Sequence, residues 1–231
     1  AMLAGCSGGG ANPAMTAQSG GHVPTSHHVV MVMEENQSYG SVVGNNSSWP
    51  NFNKLAAAGA LPTNYYADVH PSISDYFMLT TGQTLTSDDS STTIWNVDNI
   101  ARRMIAAGVS FKVYAEGITQ GYTGGDTGLY VLRHNPFAML SDVAASPTTA
   151  KQYIWPFSQF ATDLAANTLP QFSFIVPNIM HDAHTGPPRE ADTWLQTNVA
   201  GPLTSTAAFK TGGDGILVVD FDEGFQSDTA N

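Results

Sequence analysis

The sequence predicts an α/β fold built on a mostly parallel, buried sheet. Two observations carry that prediction. Four short, nearly continuous apolar runs are separated by stretches with helical patterning, which is how buried parallel strands and their crossover helices read. Each apolar run is also followed at once by carboxylates, amides or histidines. In a parallel sheet those residues gather at the carboxyl edge, where ligands bind in open α/β folds.

Residues 29–33 (VVMVM) form the first predicted strand. A helix is expected over 49–60, with Pro50 near its start and Gly59 near its end. A second is expected over 74–81. Ile94, Val97, Ile100, Ala101, Met104 and Ile105 recur at helical spacing and predict a helix over 94–108. A strand follows at 109–114. Residues 156–167 read as a helix, 171–176 as a strand with a proline on each side, and 189–199 as a further helix. Residues 215–221 (GILVVDF) are the strongest strand signal in the chain. Ahead of all these, residues 7–26 are rich in Gly, Ala, Ser and Thr and lack periodicity, as a flexible linker does. His22, His27 and His28 read as residues of that linker or its end. The chain thus divides into 1–26 and a globular part, 27–231.

Composition narrows the partners. Of 231 residues, 42% are hydrophobic, enough for a substantial core, and 12% are charged. Nineteen acidic against eight basic residues give a net charge of −11, which argues against nucleic acid as a general partner. No apolar run reaches the roughly 18 residues that a membrane-spanning helix needs. Cys6 is the one cysteine, so no internal disulfide forms. Leu3-Ala4-Gly5-Cys6 resembles a bacterial lipobox, with Cys6 the lipidated residue. That implies an exported protein, periplasmic, secreted or on the cell surface, touching a membrane only through a lipid anchor. Five residues before Cys6 are too few for a signal peptide, so the true start is expected to lie upstream.

The four polar groups follow their strands in order. Glu34-Glu35-Asn36 follows the first, Glu116 the second, Asn178, His181, Asp182 and His184 the third, and Asp222-Glu223 the last. Paired acids and an amide at the end of a buried strand are costly without a positive partner, and oxygen ligands suit a hard cation. Glu34 is expected to face away from Glu35, because adjacent strand residues point to opposite sides. Taken singly, each group also reads as a helix cap or a solvated acidic loop. His70-Pro71-Ser72, just ahead of a helix, reads either as a capped turn or as a hydroxyl nucleophile beside phosphate-binding backbone N–H groups.

Glu35-Asn36-Gln37-Ser38-Tyr39, His70-Pro71-Ser72-Ile73-Ser74-Asp75-Tyr76, Thr80-Thr81-Gly82, Arg133-His134-Asn135-Pro136-Phe137, Asp182-Ala183-His184 and Phe221-Asp222-Glu223-Gly224 occur in that order. Together they resemble the bacterial phosphoesterase family of acid phosphatases and phospholipases C, a distant branch of the alkaline phosphatase superfamily. The resemblance covers nearly everything from His27 onward. It implies an alkaline phosphatase-like three-layer α/β/α sandwich that hydrolyses phosphate monoesters with a divalent metal, whether Mg, Ca, Mn or Zn. The implied metal ligands are Glu35, Asn36, Asp222 and Glu223. Ser72 is the implied nucleophile, with Thr80 and Thr81 as alternatives, and His70, His134 and His184 are the implied catalytic histidines. Asp75, His181 and Asp182 are expected to contact the substrate, a small phosphate ester or a phospholipid head group. A phospholipase C-type diesterase, or a lipid-anchored surface protein without turnover, stand as alternatives. Asp75 replaces the Asn usual in the family, Ala183 replaces Met, and Asp220 stands where the family usually has an apolar residue or Thr. Family members also continue well beyond F-D-E-G, so a longer parent sequence is expected.

Overall fold

A computed structural model describes residues 25–225 and Ser227. Cys6 and most of the predicted linker lie outside them. In chain order the elements are β1 (His28–Glu34), α1 (Tyr39–Val42), α2 (Pro50–Ala58), α3 (Ser72–Thr81), α4 (Ile100–Ala107) and β2 (Phe111–Ala115). They continue with α5 (Ser141–Ala144), α6 (Pro147–Tyr153), β3 (Ile154–Pro156), α7 (Ser158–Ala165) and β4 (Phe172–Val176). α8 (Pro188–Leu195), α9 (Gly201–Thr204) and β5 (Gly215–Phe221) complete the chain, a π turn over Gln196–Ala200 joining α8 to α9.

The five strands form one sheet in the order β3-β2-β4-β1-β5, and every pair is parallel. Alternation along each strand feeds a core on both faces. Val30 and Val32 of β1, Tyr114 of β2 and Ile175 of β4 pack with Phe160, Trp194, Leu195, Val199 and Leu203 from α7 to α9. Met33, Val113, Phe174 and Val176 face the other way, onto Ile73, Tyr76 and Phe77 of α3 and Ala101 and Met104 of α4. Helices on both faces make three layers. Each fully buried aliphatic or aromatic side chain contributes about 1.5–3 kcal/mol against leaving it in water.

The differences from the sequence reading have local causes. The helix expected over 94–108 begins only at Ile100, because Asn99 caps it by accepting from the Arg102 N–H at 2.9 Å. Its first part, at Trp95, instead pairs with Leu140. Pro156 does not start a helix: it closes the short strand β3, which periodicity over three residues could not reveal. α3 starts at Ser72 itself rather than at Ser74. β5 matches its predicted bounds but is not buried on both faces. It is an edge strand among the described residues, and Ile216 is exposed.

Candidate active site

Parallel pairing throughout sends every strand's carboxyl end to one edge, and the polar groups collect there on two different faces of the sheet. Glu35, the residue after β1, is fully buried. Its Oε2 accepts from Ser72 Oγ at 3.1 Å and from Asn36 Nδ2 at 3.1 Å, and its Oε1 accepts from Tyr76 OH at 2.6 Å. Ser72 occupies the first turn of α3, one turn before Tyr76, so a single helix presents both hydroxyls to one carboxylate. Thr80 and Thr81 lie at the far end of α3, their hydroxyls donating to Tyr76 O and Phe77 O at 2.8 and 2.7 Å. Among the three hydroxyls considered, Ser72 is the one that reaches the acids.

His134 enters from a 3-10 turn, Leu132–His134, and is buried. Its Nδ1 contacts Asp182 Oδ2 at 3.0 Å, and its ring stacks on Tyr76 with centroids 5.5 Å apart. With the Nδ1 proton held by Asp182, Nε2 presents a lone pair. Nε2 lies 3.2 Å from Glu35 Oε1 without making a hydrogen bond. Burial, reinforced by the nearby Arg133 charge, pushes the His134 imidazole down to about 3, so it stays neutral. Asp182 also accepts from the His184 backbone N–H at 2.8 Å, and its carbonyl accepts from the Glu35 N–H at 2.7 Å. Ala183 between them sits at φ +68°, a left-handed conformation costing about 1–2 kcal/mol for a residue with a Cβ. That turn lets Asp182 and His184 share one cluster. Gly186 closes the same loop, since a Cβ there would meet Met180 O at 2.0 Å.

Asp222 and Glu223 follow β5 and are nearly buried. Asp222 Oδ1 accepts from the Asn36 N–H at 3.1 Å, and Asn36 takes φ +53° to reach it. His70 Nδ1 lies 2.6 Å from Glu223 Oε2. Asp75 Oδ1 instead accepts from the Asp68 and Val69 N–H groups at 3.1 and 3.2 Å, which ties it to the segment before α3. A groove of about 320 Å³ lined by Val69, His70, Ser74, Thr84, Thr86 and Ser87 opens beside His70.

Burial, with Asp222 and Asp182 adding like charge, raises Glu35 well above the usual carboxylate range. Burial likewise raises Glu223 to about 7, with Asp222 adding to it and His70 opposing. Burial raises Asp182 to about 7 against the pull of the His184 N–H. Such a cluster calls for a cation. Glu35, His134 and His184 each offer one ligand atom, all within 4.8 Å of one another. The orphaned His134 Nε2 and Asp222 Oδ2 fit the same need. Imidazole and carboxylate donors suit a divalent metal, and the Asp182–His134 contact is the usual outer support of a ligating histidine. Of the four ligands expected from sequence, Glu35 belongs to this group of three. Asn36, Asp222 and Glu223 surround it.

His181 and Glu34 go elsewhere. His181 Nδ1 contacts Glu116 Oε2 at 2.7 Å and its ring stacks on Trp194, whose Nε1 donates to Glu116 Oε1 at 3.1 Å. This group lies over α8, beside a larger open groove of about 570 Å³ lined by Arg189, Glu190, Thr193 and Trp194. Glu34 faces away from Glu35, as strand alternation requires, yet is fully buried with neither oxygen bonded. Burial, then Asp182 and Asp192, raise it well above the carboxylate range. Asp220 is occupied by Tyr65, whose OH donates to it at 2.9 Å. Sequence reasoning missed Tyr76 as a partner of Glu35. Its place four residues beyond Ser72 on a helix was the available signal.

A family model described as Phosphoesterase family matches residues 45–225. Three similar curated proteins are phosphatases by name. The phosphatidylinositol-3-phosphatase of Mycobacterium tuberculosis is 34% identical over 204 residues, which are 87% of this chain and 64% of that protein. The phosphate-repressible acid phosphatase of Penicillium chrysogenum is 34% identical over 75% of this chain and 43% of its own length. An acid phosphatase of Aspergillus fumigatus is 32% identical over 75% of this chain and 40% of its own length. The chain thus spans 64% of the mycobacterial relative and less than half of each fungal one.

Proposed function

The chain belongs to the phosphoesterase family, and from that premise we propose that it hydrolyses phosphate monoesters with Ser72 as the nucleophile. The observation that carries this reading is the Ser72 Oγ to Glu35 Oε2 hydrogen bond, made by two buried side chains at the carboxyl edge of the sheet. Glu35 accepts the Ser72 proton as Oγ attacks phosphorus and forms a phosphoryl-serine. Tyr76 donates to the same carboxylate and holds it in place. His70, paired with Glu223, is the proton donor to the leaving oxygen, and water then releases phosphate. A divalent ion held by Glu35, His134 and His184, with Asp222 and Glu223 near it, would supply Lewis-acid stabilisation of the phosphoryl oxygens. The names of the relatives support a monoester substrate, and that of the mycobacterial one supports a phosphoinositide head group.

Replacing Ser72 by alanine is expected to lower kcat on p-nitrophenyl phosphate by roughly 10³-fold or more, with the fold retained by circular dichroism. Turnover near the wild-type rate in Ser72→Ala would sink this mechanism.

A further inference from the structure

The site as described gathers acids around Ser72, yet a phosphate monoester is itself a dianion. The charges that would receive it can be sought among the basic residues. Arg102 pairs with Asp142 at 3.0 Å, Arg103 with Asp98, and Lys112 with Asp163 at 2.6 Å. Arg133 differs. It precedes His134 in the 3-10 turn that supplies the buried histidine, and its side chain is only 17% exposed. Its Nη2 donates to His184 Nε2 at 3.3 Å. Its nearest carboxylate, Asp126, lies 3.9 Å from Nη1 and is itself 60% exposed.

A guanidinium carries five N–H donors in a rigid fork. Among the described residues the Arg133 side chain makes one hydrogen bond, and that one is to an imidazole nitrogen rather than to a carboxylate. Largely desolvated cations are ordinarily paired and hydrogen-bonded, because leaving water is costly. The unspent donors therefore point to an anion that arrives from outside. His184, which Arg133 touches, lies against His134 with ring centroids 5.5 Å apart, and His134 faces Glu35, the partner of Ser72. Arg133 is thus joined through three side chains to the nucleophile.

We infer that Arg133 is the anion-binding cation of this site, its guanidinium donating to nonbridging oxygens of a phosphate monoester and of the phosphate product. The inference rests on the function proposed above and adds the residue that selects a dianionic phosphoryl group. Arginine suits that task because its fork matches two oxygens at once.

The test is titration calorimetry of inorganic phosphate into the full chain, into Arg133→Gln and into Arg133→Lys, with KM and kcat measured on p-nitrophenyl phosphate. Arg133→Gln is expected to weaken phosphate binding and raise KM by about 10- to 100-fold, with kcat falling less. Arg133→Lys should recover part of the loss, and it replaces the glutamine variant if that one does not fold. Phosphate affinity unchanged within about twofold, or a loss confined to kcat, would overturn the inference. The second result would assign Arg133 to holding His184. If the wild-type chain turned over no phosphate ester, the proposed function would fail, while phosphate affinity across the three proteins would still decide the role of Arg133.

Discussion

Asp75 stands where the family resemblance leads one to expect asparagine, and its surroundings show what the exchange does. Burial lifts its carboxyl to about 6, although the Asp68 and Val69 N–H groups favour the ionised form and Asp222 opposes it. Oδ2 is buried without a partner. A carboxyl pKa raised on folding stabilises the native state in acid, and that contribution is lost as pH rises through about 6. Asparagine keeps the Oδ1 acceptor and removes the charge. Asp75→Asn is therefore expected to be neutral near pH 4 and stabilising above pH 6, by about 1 kcal/mol once solvent screening is allowed for. Thermal melts should show a Tm about 2–4 °C higher at pH 8 and none higher at pH 4. A Tm gain of equal size at both pH values would refute this account. The sequence made Asp75 legible as an anomaly, but not its resolution. Which way a carboxylate turns depends on backbone N–H groups seven and six residues away, and no spacing rule announces them. Ser72 and Glu35 were legible for the opposite reason: each sits at the end of an element whose type the pattern made plain.

Among elements, α2 shows how the sheet's helices are locked together. Its N-cap position is Trp49, which has no capping side chain, so the first N–H groups need an outside acceptor. Asp192 of α8 supplies it. Its carboxylate accepts from the Asn51 N–H at 3.0 Å, the Phe52 N–H at 2.8 Å and Asn51 Nδ2 at 2.9 Å, and Asp192 is fully buried. The negative charge also meets the positive end of the helix dipole. Sequence reading expected α2 and α8, yet not the tie between them, because the two partners lie about 140 residues apart in the chain. Asp192→Ala would leave the Phe52 N–H and two half-buried Asn51 donors without their acceptor and is expected to cost about 2–4 kcal/mol in urea unfolding. Asp192→Asn, which keeps one acceptor oxygen, should cost less than half as much. A cost below about 0.5 kcal/mol for the alanine variant would show that α2 does not depend on α8 for its cap. Short elements escaped the sequence altogether. α1, α5 and β3 are four, four and three residues long, below the length at which either periodicity registers.

Across the whole molecule, the all-parallel sheet makes the site and also destabilises its own carboxyl edge. Glu35, Asp182, Asp222 and Glu223 arrive from β1, the loop after β4, and β5, and each is at most 5% exposed. Burial raises Glu35 above the carboxylate range and Glu223 and Asp182 to about 7, with Asp222 adding like charge at Glu35 and Glu223. Groups raised in this way support folding while protonated, and the support fades as pH climbs through about 7. A divalent ion reverses that trend, because its ligands must be ionised to bind it. Its stabilisation is about 2.7 kcal/mol at a hundredfold excess over Kd. The gap in Tm between protein saturated with a divalent ion and protein stripped by chelator should therefore be small at pH 5 and widen to several degrees by pH 8. Phosphatase activity should follow the same metal titration and return when the ion is restored. Identical melting curves with and without chelator at pH 8 would mean that the orphaned His134 Nε2 and Asp222 Oδ2 serve a bound proton rather than a metal. The edge would then be held together by shared protonation alone, and the activity of Ser72 would have to survive chelation.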